Sequence, residues 1–154
     1  MTPSAEDAAA GLQYSRVLDA PPELVFDCFT QPGHLTHFWA PKGASAPTTE
    51  ILVDLRPGGR FETLIVNDAT GATYATRSVF LEVHAPDILA WHEEHTGMTV
   101  RVTFTALPGG RTLFSLHQSD IPDQVLRPEN RAGFATTLDK LSNYLHHLAD
   151  GAKQ

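Results

Sequence analysis

The amphipathic stretch at the end of the chain, residues 128–150, constrains the possible folds more than any other feature. Its large apolar residues follow one another at intervals of three or four positions, which places them on one face of an α-helix. They are Phe134, Leu138, Leu141, Leu145 and Leu148. Pro128 suits the first helical turn, where its missing N–H costs no hydrogen bond. We therefore predict a helix from Pro128 to Asp150, roughly 33 Å long and able to cross a small sheet.

Most of the chain before this helix consists of predicted β-strands joined by tight turns. Segments in which apolar and polar residues alternate are typical of strands with one buried face. They cover residues 13–19, 50–55, 60–67, 73–84, 88–94, 98–106 and 111–119. Proline and glycine clusters separate these segments, and we expect Gly58 or Gly59 to adopt positive φ in one such turn. Short turns between consecutive strands predict antiparallel hairpins.

Two short helices are predicted after the first strand. Pro22 and the acidic residue after it begin a helix that runs to Thr30, because proline and an acid favour the first helical turn. A second helix is predicted from His34 to Trp39. Residues 42–49 contain small and polar residues with one proline, and we expect them to form a loop.

These elements predict an α+β fold in a single domain over residues 13–150, preceded by a loose tail at residues 1–12. The antiparallel sheet, of about six to seven strands, lies around the long terminal helix. A length of 154 residues fits one domain, and 42% hydrophobic residues provide a substantial core.

Charge and composition exclude several classes of protein. The formal net charge is −7 with histidine neutral, so nucleic acid is not expected as a partner. No apolar run approaches the ~20 residues that a membrane-spanning helix needs, so no membrane role is expected. The first residues lack the basic patch and apolar core of a signal peptide. Cys28 is the single cysteine and is expected to be a core residue in a cytoplasmic protein.

Five short motifs, taken in order, resemble one known family. They are Pro21–Phe26, Phe38–Pro41, Val53–Phe61, Ala85–Trp91, and Gly133 with Phe134, Leu138 and Leu141. Together they are similar to the heat-shock protein 90 ATPase activator homologue-like family, within the START-like SRPBCC superfamily that also holds the birch-pollen allergen and many polyketide cyclases. The resemblance covers about residues 13–149. It implies a helix-grip fold, in which a curved antiparallel sheet surrounds a long C-terminal helix with an apolar cavity between them.

That resemblance implies that a small apolar or amphipathic molecule binds between the sheet and the helix. Ligand pockets are mainly apolar with a few polar anchors, and on that basis the candidate lining residues are Phe38, Trp39, Phe61, Trp91, His117, Phe134, Leu138 and Leu141. We expect Leu138 and Leu141 to lie beside the cavity, since they are near the middle of the helix. Leu145 and Leu148 are expected to pack into solid core.

Catalytic residues are not identified by any local motif. His117 is a candidate acid, base or hydrogen-bonding group if it faces the interior, and Glu62 and Glu82 could act similarly. No cofactor is expected, and no metal, because His92, Glu94 and His95 do not have the spacing of a zinc site. Two alternatives to ligand binding remain open: a cyclase or hydrolase that uses the same cavity, and an interaction module acting as a homodimer or a chaperone partner.

Overall fold

The computed structural model of the 154-residue chain describes residues 11–123 and 128–152 and, in the last helix, the side chains of residues 132–151. Eight strands are present: β1 Leu12–Leu18, β2 Ala44–Ser45, β3 Leu52–Val53, β4 Arg60–Asn67, β5 Thr73–His84, β6 Ile88–Glu93, β7 Thr99–Leu107 and β8 Arg111–Ser119. The helices are α1 Pro22–Thr30, α2 Pro32–Leu35 and α3 Pro128–Ala152, and a 3-10 turn spans Thr48–Glu50.

All the strands form one antiparallel sheet. The order along the sheet is β1-β8-β7-β6-β5-β4-β2, and β3 also pairs with β4. Strands β4 to β8 follow each other in hairpins, whereas β1 crosses to the far edge and pairs with β8. The curled sheet has a concave face that packs against α3, which confirms the helix-grip architecture.

Helix α3 lies on the concave face because its apolar stripe is buried there. Leu138, Leu141 and Leu145 are 3%, 0% and 1% exposed. Contacts at the edge of the stripe fix the helix along β1: Arg16 donates to the Asp139 carboxylate at 2.8 Å. The predicted helix is confirmed, and it extends two residues beyond its predicted end.

The predicted boundaries agree closely for the longer elements. Helix α1 and strands β4, β5 and β8 have the predicted bounds. The second helix differs, because it starts at Pro32 and ends at Leu35. Pro32 ends α1 and also begins this helix, because proline is favoured at the first helical position. Phe38 and Trp39 lie in turns after this helix, and their backbone N–H groups donate to the carbonyl oxygen of Leu35.

Residues 42–55 also differ from the prediction. The expected loop contains the two-residue strand β2, and the expected strand at 50–55 is reduced to the two residues of β3. Both pair with β4, at different points along it. The 3-10 turn between them redirects the chain, so β4 has two short neighbours on the side away from β5. The predicted tail at residues 1–12 falls mainly outside the described residues, and β1 begins within it, at Leu12.

The turn at residues 56–59 needs glycine at two positions for different reasons. Gly58 has φ +84°, which confirms the expected positive φ. Gly59 lacks positive φ, but a Cβ there would lie 2.0 Å from the backbone oxygen of Asp54. The first glycine is required by its conformation and the second by the closeness of the neighbouring backbone.

We predict that Gly58→Ala lowers the free energy of unfolding by about 1 kcal/mol through left-handed strain. Gly59→Ala should cost more, because the contact that it creates is with backbone. Gly33→Ala is the control, since a Cβ at Gly33 meets nothing within 4 Å and an alanine suits a helix better. Urea denaturation measures all three. Unchanged stability in both Gly58→Ala and Gly59→Ala would contradict this account of the turn.

The burial of α3 generates a second prediction. Because Leu138 and Leu145 are equally buried, Leu138→Ala and Leu145→Ala should each lower the free energy of unfolding by about 2–5 kcal/mol. Val17→Ala is the control, because Val17 is 49% exposed, and it should change stability little. A much smaller loss for Leu138→Ala than for Leu145→Ala would instead indicate unfilled space at mid-helix, as the sequence analysis expected.

Candidate functional site

The predicted aromatic candidates meet in the interior. Phe38, Phe61 and Trp91 are 1%, 3% and 1% exposed. Trp39 is half-buried, with its ring centroid 5.5 Å from that of Phe61 and 6.1 Å from that of Trp91. Phe61 also stacks on Phe80 at 5.5 Å. These rings fill the centre of the concave face.

The candidates on α3 face the same interior. Leu138 and Leu141 are buried in the core that the aromatic rings form. Phe134, nearer the start of the helix, is half-buried, and its ring centroid lies 4.7 Å from that of Tyr14 on β1. The structure therefore brings the apolar candidates together. Their contact with a ligand stays a prediction.

His117 lies on the opposite face of the sheet. In β8 the buried residues are Thr112, Phe114, Leu116 and Gln118, so His117 points outward and is exposed. It lines an open concavity of about 270 Å³ with Gln13, Arg101, Thr103 and Ser115. His117 therefore does not face the interior, as an acid or base in a cavity would have to. Side chains alternate between the two faces along a strand, and the next residue, Gln118, is the one that faces inside.

Glu62 and Glu82 are likewise on the outer face. Glu62 accepts hydrogen bonds from the Arg60 guanidinium at 2.7 and 2.9 Å, and Glu82 pairs with Arg101 at 3.3 Å. Both carboxylates are therefore engaged on the convex surface. Neither reaches the concave face.

The histidine and acidic residues around Trp91 have separate partners. His92 Nδ1 lies 3.2 Å from the Thr99 hydroxyl. Arg60 donates to Glu94 at 2.7 Å and thereby lowers the pKa of that carboxyl. The backbone N–H of Arg77 donates to Nδ1 of His95 at 3.0 Å. Over residues 11–123 and 128–152, no group of three His, Cys, Asp or Glu side chains converges on a position for a metal ion.

The concave face becomes polar toward one end. Ser78 on β5 lies directly opposite Phe61 on β4 and Glu93 on β6. Residues directly opposite each other on neighbouring strands point to the same face, so Glu93 is on the concave face with the buried ring of Phe61. In β8, Gln118 follows the buried Leu116 two positions on and faces the same way. We call this group the polar end of the concave face. It consists of Thr63, Thr76, Ser78, Glu93 and Gln118.

Glu93 is held in one orientation. The Trp91 indole N–H donates to one of its carboxylate oxygens at 3.2 Å, and the Thr96 hydroxyl donates to the other at 2.9 Å. The imidazole of His95 approaches at 3.7 Å. A carboxylate accepts about four hydrogen bonds, so Glu93 keeps capacity for a further donor.

Gln118 presents an acceptor that is not satisfied. The residue is 8% exposed, and its Oε1 atom is fully buried without a hydrogen-bond partner. Leaving a buried carbonyl unpaired costs about 1–3 kcal/mol. Buried polar atoms in native proteins are almost always paired. This oxygen is therefore an acceptor that the described part of the protein leaves unpaired.

A groove opens at this same end, between the loop 41–44 and the start of β5. It has a volume of about 280 Å³ and is lined by Pro41, Lys42, Gly43, Ala44, Ile65, Asn67, Ala72, Thr73 and Tyr74. Tyr74 lies on the concave side, as its pairing with Ile65 shows, yet it is 56% exposed. Tyr74 comes two positions before Thr76 on this face of β5, so the groove adjoins the β4–β5 side of the polar end, whereas Gln118 lies three strands away on β8.

The loop beside the groove is fixed to α3. The ammonium of Lys140 donates to the carbonyl oxygens of Pro41 and Ala44, at 3.1 and 3.0 Å, and its burial lowers the pKa of Lys140. The backbone N–H of Lys42 donates to the Thr136 hydroxyl at 2.9 Å. These hydrogen bonds hold the loop 41–44 against α3, where it forms one side of the groove.

The other end of α3 is closed by side chains. The Tyr144 hydroxyl shares a hydrogen bond with His34 Nδ1 at 2.6 Å. The ring of His37 stacks on Tyr144 with centroids 4.6 Å apart. Cys28 is buried close by, and burial, with a smaller effect of Asp27, raises the pKa of its thiol to about 12. The thiol is therefore protonated at neutral pH and unsuited to nucleophilic attack.

Sequence reasoning missed Gln118 and the polar end. The alternating pattern in β8 was recognised, but nothing in Leu116-His117-Gln118 distinguishes the two faces, and a shift by one residue exchanges them. The signal that could have found Gln118 was the spacing from Phe114 and Leu116, which continues at every second residue.

No helix among the described residues combines the length and apolar character that a membrane crossing requires.

The comparisons with known proteins agree on one family. The family model described as Activator of Hsp90 ATPase homolog 1-like protein matches residues 19–146. A crystal structure from Chromobacterium violaceum is 29% identical, with a TM-score of 0.78, and the alignment covers 86% of this chain and 95% of that one. One from Nitrosomonas europaea is 26% identical, with a TM-score of 0.77, and covers 91% and 96%.

The AHSA1-like protein from Aeromonas hydrophila is 23% identical with a TM-score of 0.74, over 90% of this chain and 94% of that one, and supports the fold alone. No curated protein matches the chain. The family model covers most of the domain, including α1, strands β2 to β8 and the greater part of α3. The chain belongs to the Activator of Hsp90 ATPase homolog 1-like family.

Proposed function

We propose that the protein binds a small amphipathic molecule between the sheet and the first half of α3, at the polar end of the concave face. The observation that carries this proposal is the buried Gln118 Oε1 without a donor. A bound molecule that supplies a hydrogen bond there removes the cost of the unpaired atom. The groove beside Tyr74 adjoins Thr76, at the β4–β5 side of the polar end.

Apolar surface next to Gln118 suits the rest of such a molecule. Val100 pairs with both Gln118 and Trp91 across the sheet, and it is 1% exposed. Phe134 packs over Tyr14 from the helix side. A ligand with an apolar body and one polar group would match an apolar wall with few polar anchors.

This proposal moves the ligand away from mid-helix. The sequence analysis expected a cavity beside Leu138 and Leu141, which are buried in a continuous core of large aromatic rings. Two concavities among the described residues, the groove beside Tyr74 and the one beside His117, are lined by neither Leu138 nor Leu141. The polar end, nearer Phe134, is the preferred position because it contains the unpaired acceptor of Gln118.

The alternatives have less support. The enzyme alternative was based on an inward His117, which lies on the outer face. A homodimer or a chaperone partner would need a continuous apolar surface. The exposed large apolar residues are instead divided between β1 at one edge of the sheet, as Val17, and the β3–β5 side, as Leu52 and Leu81. We also propose a cytoplasmic location, which a single buried cysteine suits.

We predict saturable binding of the neutral apolar dye N-phenylnaphthylamine, followed by its fluorescence increase. Phe134→Ala removes apolar surface at the proposed site and should weaken binding about three- to tenfold, the effect of losing roughly 0.6–1.4 kcal/mol of contact. Tyr144→Ala is the matched control, because it removes a half-buried aromatic ring from the other end of the same helix and should leave dye affinity within about twofold.

Circular dichroism and thermal melting of each variant separate lost binding from lost fold. Dye binding that is absent in the wild type would contradict the proposed function. Equal weakening by Phe134→Ala and Tyr144→Ala, with both variants folded, would show that the dye does not bind at the start of α3.

A further inference from the structure

We propose that the polar group of the bound molecule is a hydrogen-bond donor, an alcohol or an amine, rather than a carboxylate or a phosphate. This inference rests on the proposed function and specifies the class of ligand for the same site. It follows from which atoms the polar end presents and from which of them already have partners.

The first anchor is an acceptor. Gln118 Oε1 is buried without a partner, and a carbonyl oxygen can only receive a hydrogen bond. A ligand hydroxyl or amine satisfies it. A ligand carboxylate placed there would bring two negatively polarised oxygens together in a region of low dielectric, where such a contact is most unfavourable.

The second anchor is also an acceptor, and it is charged. Glu93 faces the concave side with a side-chain exposure of 14%. The donors Trp91 and Thr96 fix its two oxygens in place without using all its lone pairs. Its charge is felt nearby, since partial burial and, secondarily, Glu93 raise the pKa of Tyr74. A carboxylate held in this position attracts amines and repels acids.

Three of the basic side chains close to this end are already engaged. Lys140 donates to the carbonyls of the loop 41–44. Arg16 pairs with Asp139 at 2.8 Å, and the His95 imidazole is directed to Glu93. The arrangement therefore offers acceptors to the ligand while these cations serve the fold.

The register sets the distance between the two anchors. Gln118 on β8 is level with Trp91 on β6, two strand spacings away, and Glu93 lies two residues farther along β6. With strands about 4.8 Å apart and a rise of about 3.3 Å per residue, the anchors are roughly 12 Å apart. A single small head group therefore reaches only one of them.

The test uses amphiphiles with one twelve-carbon chain and different head groups: dodecanol, dodecylamine and dodecanoate. Each displaces N-phenylnaphthylamine from the wild-type protein at neutral pH, below its micelle-forming concentration. The alcohol and the amine should bind about three- to tenfold more tightly than the carboxylate, the worth of one hydrogen bond of roughly 0.6–1.4 kcal/mol.

Gln118→Met removes the acceptor and keeps an unbranched side chain of similar length. It should reduce the advantage of dodecanol over dodecanoate to the part that repulsion by the Glu93 carboxylate supplies. Gln13→Met is the matched control, because Gln13 lies on β1 at the outer face, where it pairs with His117, and it should keep the full advantage. Glu93→Gln provides a second test that does not depend on Gln118, and it should reduce the advantage of the amine over the alcohol.

The outcomes separate this inference from the proposed function. If neither the dye nor any amphiphile binds the wild type, both the function and the inference fail. If all bind and dodecanoate binds as tightly as dodecanol or more tightly, the function stands and the inference is overturned, which would direct attention to the exposed Lys42 at the groove beside Tyr74. A donor preference that Gln118→Met leaves unchanged, in a folded variant, would also overturn it.

Discussion

Contact between the apolar stripe of α3 and the concave face of the sheet determines the rest of the structure. A single long helix and one sheet each have one apolar face, and neither is stable in water until those faces meet. Leu138, Leu141 and Leu145 provide the helix side of that contact, and the aromatic rings around Trp91 provide much of the sheet side. Polar contacts such as Arg16 with Asp139 then fix the helix along the strands.

The stripe covers the concave face unevenly, and this difference has functional consequences. Around mid-helix the large rings and leucines fill the space. Toward the start of the helix the sheet presents Gln118 and Glu93, whose hydrogen-bonding capacity the described residues do not use up. A fold stabilised mainly by burial can carry such a polar end because its free energy comes from elsewhere. The polar end is then available for a ligand.

The sequence predicted the fold well because its signals are periodic. The stripe at intervals of three and four defined α3, and alternation with glycine and proline turns defined the long strands to within a residue or two. Short strands such as β2 and β3 could not be predicted, because two residues are too few to show an alternating pattern. The site was predicted only in part. Apolar candidates such as Trp91 could be predicted from hydrophobicity alone. Whether His117 or Gln118 faces the interior depends on a shift of one residue in the strand, which the sequence does not specify. The partners of Glu93 lie within three residues of it, but the face of the sheet that it occupies is fixed by its pairing with Ser78 on β5.

The central claim is that a donor-bearing amphiphile binds at the polar end of the concave face, and nuclear magnetic resonance tests it most directly. Titration of the nitrogen-15-labelled protein with dodecanol should shift the side-chain amide signal of Gln118 and the indole signal of Trp91, in saturable fashion and with one affinity. The side-chain amide of Gln13, on the outer face, should not move. Shifts confined to Gln13 and its neighbours around His117, or no saturable shift at Gln118, would contradict the account.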